Sequence, residues 1–239
     1  MTDKNEDKFI IHEAIRAGKA LLVQQLINEN PKLLFRKDED DRTPLHWACT
    51  MDNNEIIKIL LKPRNGIDEI DIDEMVDASG WTPIHIVSAL GNVQILEQLM
   101  KLEPTPDINL ATNQGTTALH LAISKNHLAL VEKLVVEYKC SCRVKDKNGF
   151  TGLHRAASIG SQPIVKLLIE HGKVNINAKD NNGWTSLHHA LAEGQGDVAL
   201  LLAKLGADPS IQNNDSQTPL QVAVDEKVKH YFESNIKNI

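Results

Sequence analysis

Residues 38–50 read DEDDRTPLHWACT. Four carboxylates in a row, an arginine, and a histidine three residues before a cysteine fit half of a metal site, a Cys/His nucleophile, or a helix start with an acidic approach. Which of these holds decides whether the chain is an enzyme, and the rest of the sequence makes the choice. TPLH at 43–46 returns as TPIH at 82–85, TALH at 117–120, TGLH at 151–154, TSLH at 185–188 and, degenerated, TPLQ at 218–221; FIIH at 9–12 is an earlier copy. The fourth positions fall at 12, 46, 85, 120, 154, 188 and 221, a period of 33 to 35 residues with one step stretched to 39.

Each copy carries the same physics. Thr is a favoured N-cap, Pro is tolerated at the first helical position, and His at the third can reach back towards the cap. Every tetrad therefore predicts a helix start. Small residues follow, as in Ala48-Cys49 and Ala156-Ala157, so this first helix is narrow and can lie against its neighbour. A bulkier apolar helix comes next: EIIKILL at 55–61, VQILEQLM at 93–100, LALVEKLVV at 128–136, PIVKLLIE at 163–170 and DVALLLAKL at 197–205. Between copies lie DASGW, DKNGF and DNNGW, where Gly permits the positive φ of a tight turn and Asp77, Asp146 and Asp180 cap their own backbone.

A period near 33, a turn with two helices, and T-P-L-H-x-A at the first helix resemble the ankyrin repeat. The expected fold is all-α: an ankyrin-repeat solenoid of seven helix-turn-helix repeats with β-hairpin-like finger loops, forming a single domain over 1–239. Repeats fall at approximately 6–37, 38–76, 77–111, 112–145, 146–179, 180–212 and 213–239, the end repeats being caps with one face turned to water. The long step comes from an insertion in KPRNGIDEIDIDEMVD, residues 62–77, where Asp68, Glu69, Asp71, Asp73, Glu74 and Asp77 make a strongly acidic loop.

The bulk numbers agree with a folded chain that is not drawn to polyanions. The 239 residues are 41% hydrophobic, and 26 Lys+Arg against 32 Asp+Glu give a net charge of −6, which disfavours nucleic acid and anionic membrane as partners. MTDKNEDKFI has no apolar h-region and no apolar run approaches a bilayer span, so an intracellular protein, cytoplasmic and nuclear, is expected. Three cysteines are too few and too oddly spaced for a disulfide framework.

Six of the ten histidines occupy the fourth tetrad position, one per repeat, and stacked repeats about 10 Å apart cannot bring two of them onto one zinc. Cys140 and Cys142 stand where other copies carry small apolar residues, and Cys49 replaces a small residue of the first helix. All three read as small hydrophobes. Phosphate-cradling, esterase and zincin motifs do not occur. The expectation is a protein with no catalytic residue, no metal and no cofactor.

What the packing does not dictate is the surface formed by the finger tips and the exposed positions of the first helices, the concave binding groove of a solenoid. The candidate protein-binding residues there are Glu39, Asp40, Arg42, Trp47, Met51, Trp81, Leu90, Lys125, Phe150, Arg155, Trp184 and Glu193. Arginine and aromatics carry binding energy out of proportion to their number, and Trp81, Phe150 and Trp184 share one tip position. Acidic residues dominate repeats two and three while Lys125, Lys147 and Arg155 lie further along, so the groove is polarised and suits a partner with matching blocks of charge. Charge reversal of Arg42 with Lys125 is expected to weaken partner binding and leave the melting temperature nearly unchanged.

Some residues exceed what any ankyrin repeat needs. DEDDRTPLHWAC, SGWTPIHI, the SKN of LHLAISKN, LHRAAS, and the GWT-to-GD segment from Gly183 to Asp197 fall in successive repeats over essentially the whole chain. This arrangement resembles the gankyrin family, its fungal members in particular. The resemblance implies a chaperone for assembly of the proteasome regulatory particle, a monomer before binding, whose concave face holds the C-terminal helical domain of one AAA+ ATPase subunit of the base. It places Asp40, Arg42, Trp47, Trp81, Lys125 and Arg155 on the family's binding face. The L-x-C-x-E sequence of the animal member is missing from HHALAEGQGD, so retinoblastoma-protein binding is not implied, and the acidic content near Ala78 has moved into the preceding insertion. The runner-up is an ankyrin adaptor or inhibitor that uses the same groove for a protein kinase or transcription factor.

Overall fold

The computed structural model describes residues 9–64, 67 and 69–237. The chain divides into two compact units, one ending at Asn113 and one beginning at Gln114. The first holds three helix pairs: α1 (Ile10–Arg16) with α2 (Ala20–Glu29), α3 (Pro44–Thr50) with α4 (Asn54–Leu61), and α5 (Pro83–Leu90) with α6 (Val93–Leu99). The second holds α7 (Ala118–Ser124) with α8 (Leu128–Glu132), α9 (Gly152–Ser158) with α10 (Gln162–His171), and α11 (Ser186–Ala192) with α12 (Gly196–Lys204). A short 3-10 turn, Pro219–Val222, and α13 (Glu226–Ile236) complete it. Among the described residues, six helix pairs and a closing 3-10 turn with its helix begin where the tetrads put them.

The capping chemistry also links one repeat to the next. In α3, α5, α7, α9 and α11 the Thr hydroxyl and the tetrad His form a reciprocal capping box. The Nδ1 of His46, His85, His120, His154 and His188 accepts the Thr amide at 3.0–3.2 Å. The opposite nitrogen donates to the backbone of the following repeat: His46 to the Trp81 carbonyl at 2.9 Å, His120 to Phe150 at 3.2 Å, His154 to Trp184 at 3.2 Å, His188 to Gln217 at 3.1 Å. Those carbonyls belong to the residues just before the next tetrad. One nitrogen accepting and the other donating require a neutral ring, and burial enforces it by pushing His120 and His154 down to about 4 and lowering His46 and His188.

The end copies depart from this scheme in different ways. Gln221 takes the His place, its side chain accepting the Thr218 amide at 2.8 Å. His12 is buried and reaches the Arg42 carbonyl at 3.2 Å, but Phe9 supplies no capping side chain and the His12 Nδ1 has no partner among the described residues.

The second helices bury their apolar face, Ile56, Ile57 and Leu60 in α4, Ile164, Val165 and Leu168 in α10, each fully enclosed side chain contributing roughly 1.5–3 kcal/mol. The fourth repeat departs from the expectation of one continuous helix: α8 gives way to a π-helical turn at Lys133–Glu137. In the insertion, Ile72 and Met75 are buried and Asp73 accepts the Asp107 amide at 2.7 Å, so the acidic loop is anchored by two apolar side chains; Asp68 lies outside the described residues.

Candidate functional site

The finger tips are tight turns built on one aspartate each. Oδ1 of Asp38, Asp77, Asp146 and Asp180 accepts two backbone amides of its own turn, two and four residues on, at 2.8–3.0 Å. Asn213 does the same in the last repeat. Successive tips within a unit are tied by a backbone bond, Ala78 to Asp40 in the first unit, Lys147 to Gln114 and Asn181 to Asn148 in the second. Gly149 shows why glycine is needed here: its φ is +82°, and a Cβ would meet the Asn181 amide nitrogen at 2.6 Å.

The second aspartate oxygen is the acceptor on which the candidate binding residues are organised. Asp38 Oδ2 receives the Trp47 indole N–H at 2.6 Å, Asp146 Oδ2 the Arg155 guanidinium at 2.6 Å, and Asp180 Oδ2 the His189 ring at 2.9 Å. In each case the donor stands nine residues after the aspartate, on the exposed side of the first helix. Burial would raise the Asp38 carboxyl, but the bonds from Trp47 and from the Arg42 and Asp40 amides outweigh it and hold the group below its ordinary value.

Around Trp47 the first unit forms a charged cleft of about 350 Å³ lined by Phe9, Glu13, Arg16, Glu39 and Asp40 among others. The Arg16 and Arg42 guanidinium carbons lie 5.0 and 5.6 Å from the indole ring centre. Arg42 also pairs with Asp77 at 3.4 Å, an acid whose side chain is 5% exposed. Arg42 thus supports the next tip as well as offering a surface charge, and its reversal will not be neutral for stability as the sequence suggested. The Arg16 contact escaped the sequence reading because it comes from the preceding repeat; the nine-residue spacing from turn Asp to helix donor was there to be found.

In the second unit Arg155 is fixed from two sides, by Asp146 and by a 2.9 Å bond to the Ser124 hydroxyl. Phe150 and Trp184 are half-buried and do not pack tip against tip. The Phe150 ring lies 5.0 Å from His189 and the Trp184 ring 5.2 Å from the same imidazole, both edge-on or tilted. Trp81 in the first unit rests 6.2 Å from its own His85. The rings therefore rest against histidines of the first helices. Glu39, Asp40, Met51, Leu90, Lys125 and Glu193 are exposed, the last four at the same position, five residues after the tetrad His.

Repeated hairpin turns, reciprocal Thr–His caps and a second helix buried behind the first define an ankyrin-repeat protein. The family described as "Ankyrin repeats (3 copies)" matches over residues 1–73, 68–146 and 126–213, and the chain belongs to it. The ankyrin repeat domain of Bcl-3, described as a member of the IkappaB protein family, superposes with a TM-score of 0.75 at 27% identity, covering 93% of this chain and 97% of that one.

More specifically, the chain belongs to the gankyrin family. It is 40% identical over 227 residues to the Saccharomyces cerevisiae "Probable 26S proteasome regulatory subunit p28", covering 95% of this chain and 98% of that protein. A Schizosaccharomyces pombe relative named "Ankyrin repeat-containing protein C6C3.08" is 38% identical over 126 residues, 52% of this chain and 51% of its own length.

Proposed function

We propose that this protein is a non-catalytic chaperone for assembly of the 26S proteasome regulatory-particle base, acting in cytoplasm and nucleus. It binds the C-terminal helical domain of one AAA+ ATPase subunit through the finger tips and first-helix faces. The observation that carries this reading is the similarity to the yeast regulatory subunit, 40% identity over 95% of this chain and 98% of that protein. The geometry supports it: Trp47 and Arg155, each held at one rotamer by a turn aspartate, are presented without the entropy cost that binding levies on loose long side chains.

In this reading Glu39, Asp40 and Glu13 around Trp47 meet basic side chains of the partner. Lys125 and Arg155 meet acidic ones, and the exposed Met51 and Leu90 supply apolar contact. Affinity purification of the tagged chain from cell extract, with mass-spectrometric identification, tests it. Recovery of regulatory-particle ATPases is expected; recovery of a protein kinase or transcription factor in their place would favour the adaptor reading.

A further inference from the structure

Two loops of the second unit stand apart by charge. Residues 139–147 read KCSCRVKDK and residues 171–180 read HGKVNINAKD, six Lys or Arg against two acids in a chain whose net charge is −6. Both acids, Asp146 and Asp180, are buried turn aspartates, taken by their own turns and by Arg155 and His189. The six cations are exposed, and among the described residues none of them pairs with a carboxylate.

The hairpins do not require this charge. Counted back from the next turn residue, the seventh, third and first positions hold Lys139, Arg143 and Lys145 in the fourth repeat and Lys173, Asn177 and Lys179 in the fifth. The third repeat carries Thr105, Asn109 and Ala111 at those places, and the sixth Gly206, Ser210 and Gln212. Lys139 and Lys173 have φ of +53° and +50°, left-handed values in a position where Gly206 lies at +98° with no side chain to strain. The backbone there favours glycine, so neither lysine is explained by the turn.

The cations border two adjoining clefts. One, of about 320 Å³, is lined by Lys139, Arg143, His171 and Lys173 among others, and one of about 510 Å³ by Arg143, Lys145, Lys173 and Lys179. No acid lines either. Three of the groups are held in place by the following repeat: Arg143 Nε donates to the Lys173 carbonyl at 3.1 Å, Lys145 Nζ to the Lys179 carbonyl at 2.8 Å, and Lys179 Nζ to the Gln212 carbonyl at 2.8 Å. A carbonyl occupies one N–H and leaves the charge in place, with further N–H groups for a ligand. Asn175 and Asn177, which line the larger cleft, each spend Oδ1 on a backbone amide, of Asn177 and of Asp208, so what they offer is N–H as well.

We propose that these two loops form a docking surface for an acidic peptide, an extended segment of a partner protein rich in Asp and Glu. Arg143 offers a carboxylate paired N–H groups, and the lysines supply charge on both sides of it. Equivalent lysines of stacked repeats stand about 10 Å apart, roughly three residues of extended chain, so acids three residues apart meet successive loops. Nucleic acid fits less well, because no Phe, Tyr or Trp lines either cleft to stack on a base and the whole chain repels a polyanion. An anionic membrane fits less well, because none of the exposed large apolar side chains lies in these loops.

The test is fluorescence anisotropy of the full chain with a short labelled peptide of alternating Asp and Glu. Binding is expected, weakened about tenfold by Lys139→Gln with Lys173→Gln and unchanged by Lys125→Gln on the groove. Lys139 and Lys173 make no side-chain hydrogen bond among the described residues, so the double variant keeps the fold's own contacts. Carbodiimide coupling of the same peptide to the wild-type chain, mapped by mass spectrometry, should join it to Lys139, Lys145, Lys173 or Lys179 and uses no variant at all. No binding, binding indifferent to the double variant, or coupling chiefly at Lys125 or Lys147 would overturn the proposal. So would tighter binding of oligouridylate or of phosphatidylserine vesicles through the same lysines.

Discussion

Positions 46, 85, 120, 154 and 188 are all histidine, whereas the residues that directly follow them are Trp47, Ile86, Leu121, Arg155 and His189. The two rows are neighbours along every first helix, about 100° apart around its axis. One row faces backbone: in each repeat it meets a Thr amide on one side and a carbonyl of the following segment on the other, and only a neutral imidazole satisfies both. At three of its positions the other row faces the turn aspartate, where a Trp, an Arg or a His donates to the second carboxylate oxygen, while Ile86 is buried. Uniformity marks the row that holds repeats together, and variety marks the row that includes Trp47 and Arg155, two residues of the proposed interface.

Acid should break the uniform row first. His120 and His154 are held at about 4 in the fold against an ordinary value of 6.5, so the unfolded chain binds more protons between those limits. Their contribution is whole above pH 6.5 and is lost as the pH falls towards 4, roughly 3 kcal/mol for each ring. Urea midpoints measured from pH 7 to pH 4.5 should fall steadily. Asp38, held below its ordinary value of 3.8, keeps its contribution throughout this window and loses it only at lower pH, so a midpoint flat across this window would count against the histidine layer.

Substitution separates the rows residue by residue. His154→Ala strands the Thr151 amide and the Trp184 carbonyl inside the stack and should cost about 2–4 kcal/mol in denaturant titration. Arg155→Ala, one residue on, should cost about 1 kcal/mol, since the pair it breaks is partly solvated, yet weaken partner binding more. Equal stability losses would erase the distinction. Arg42→Glu lies between the two cases: it sets a carboxylate beside the enclosed Asp77 and removes a cation from Trp47, for an expected loss of about 1–2 kcal/mol read as a lowered melting temperature.

The uniform row was legible in the sequence because its signal is local and repeated: Thr and His three residues apart, a Gly turn before, small residues after. The turn aspartates were legible for the same reason. Contacts that cross from one repeat to another were not. Arg42 meets Asp77 35 residues away, and the Arg16–Trp47 approach depends on where the preceding helix lies. Phe150 and Trp184 were placed at the tips correctly, but their rest on His189 depends on how three elements converge. LALVEKLVV reads as helix under any periodicity, so the π turn left no trace in it. The cysteines read rightly as enclosed side chains, while the basic residues around them come partly from the following repeat, His171 at the end of α10 and Lys173 just beyond it.

Lys125 offers the cleanest test of the partner-facing surface, being exposed at the end of α7 and remote from the histidine contacts. The decisive measurement is calorimetric titration of the purified chain with the isolated C-terminal domains of the regulatory-particle ATPases, wild type against Lys125→Glu. One domain should bind the wild type, and Lys125→Glu should weaken that binding about tenfold or more with the melting temperature unchanged, a loss of about 1.4 kcal/mol. Failure of every domain to bind, or binding indifferent to Lys125→Glu, would contradict the account.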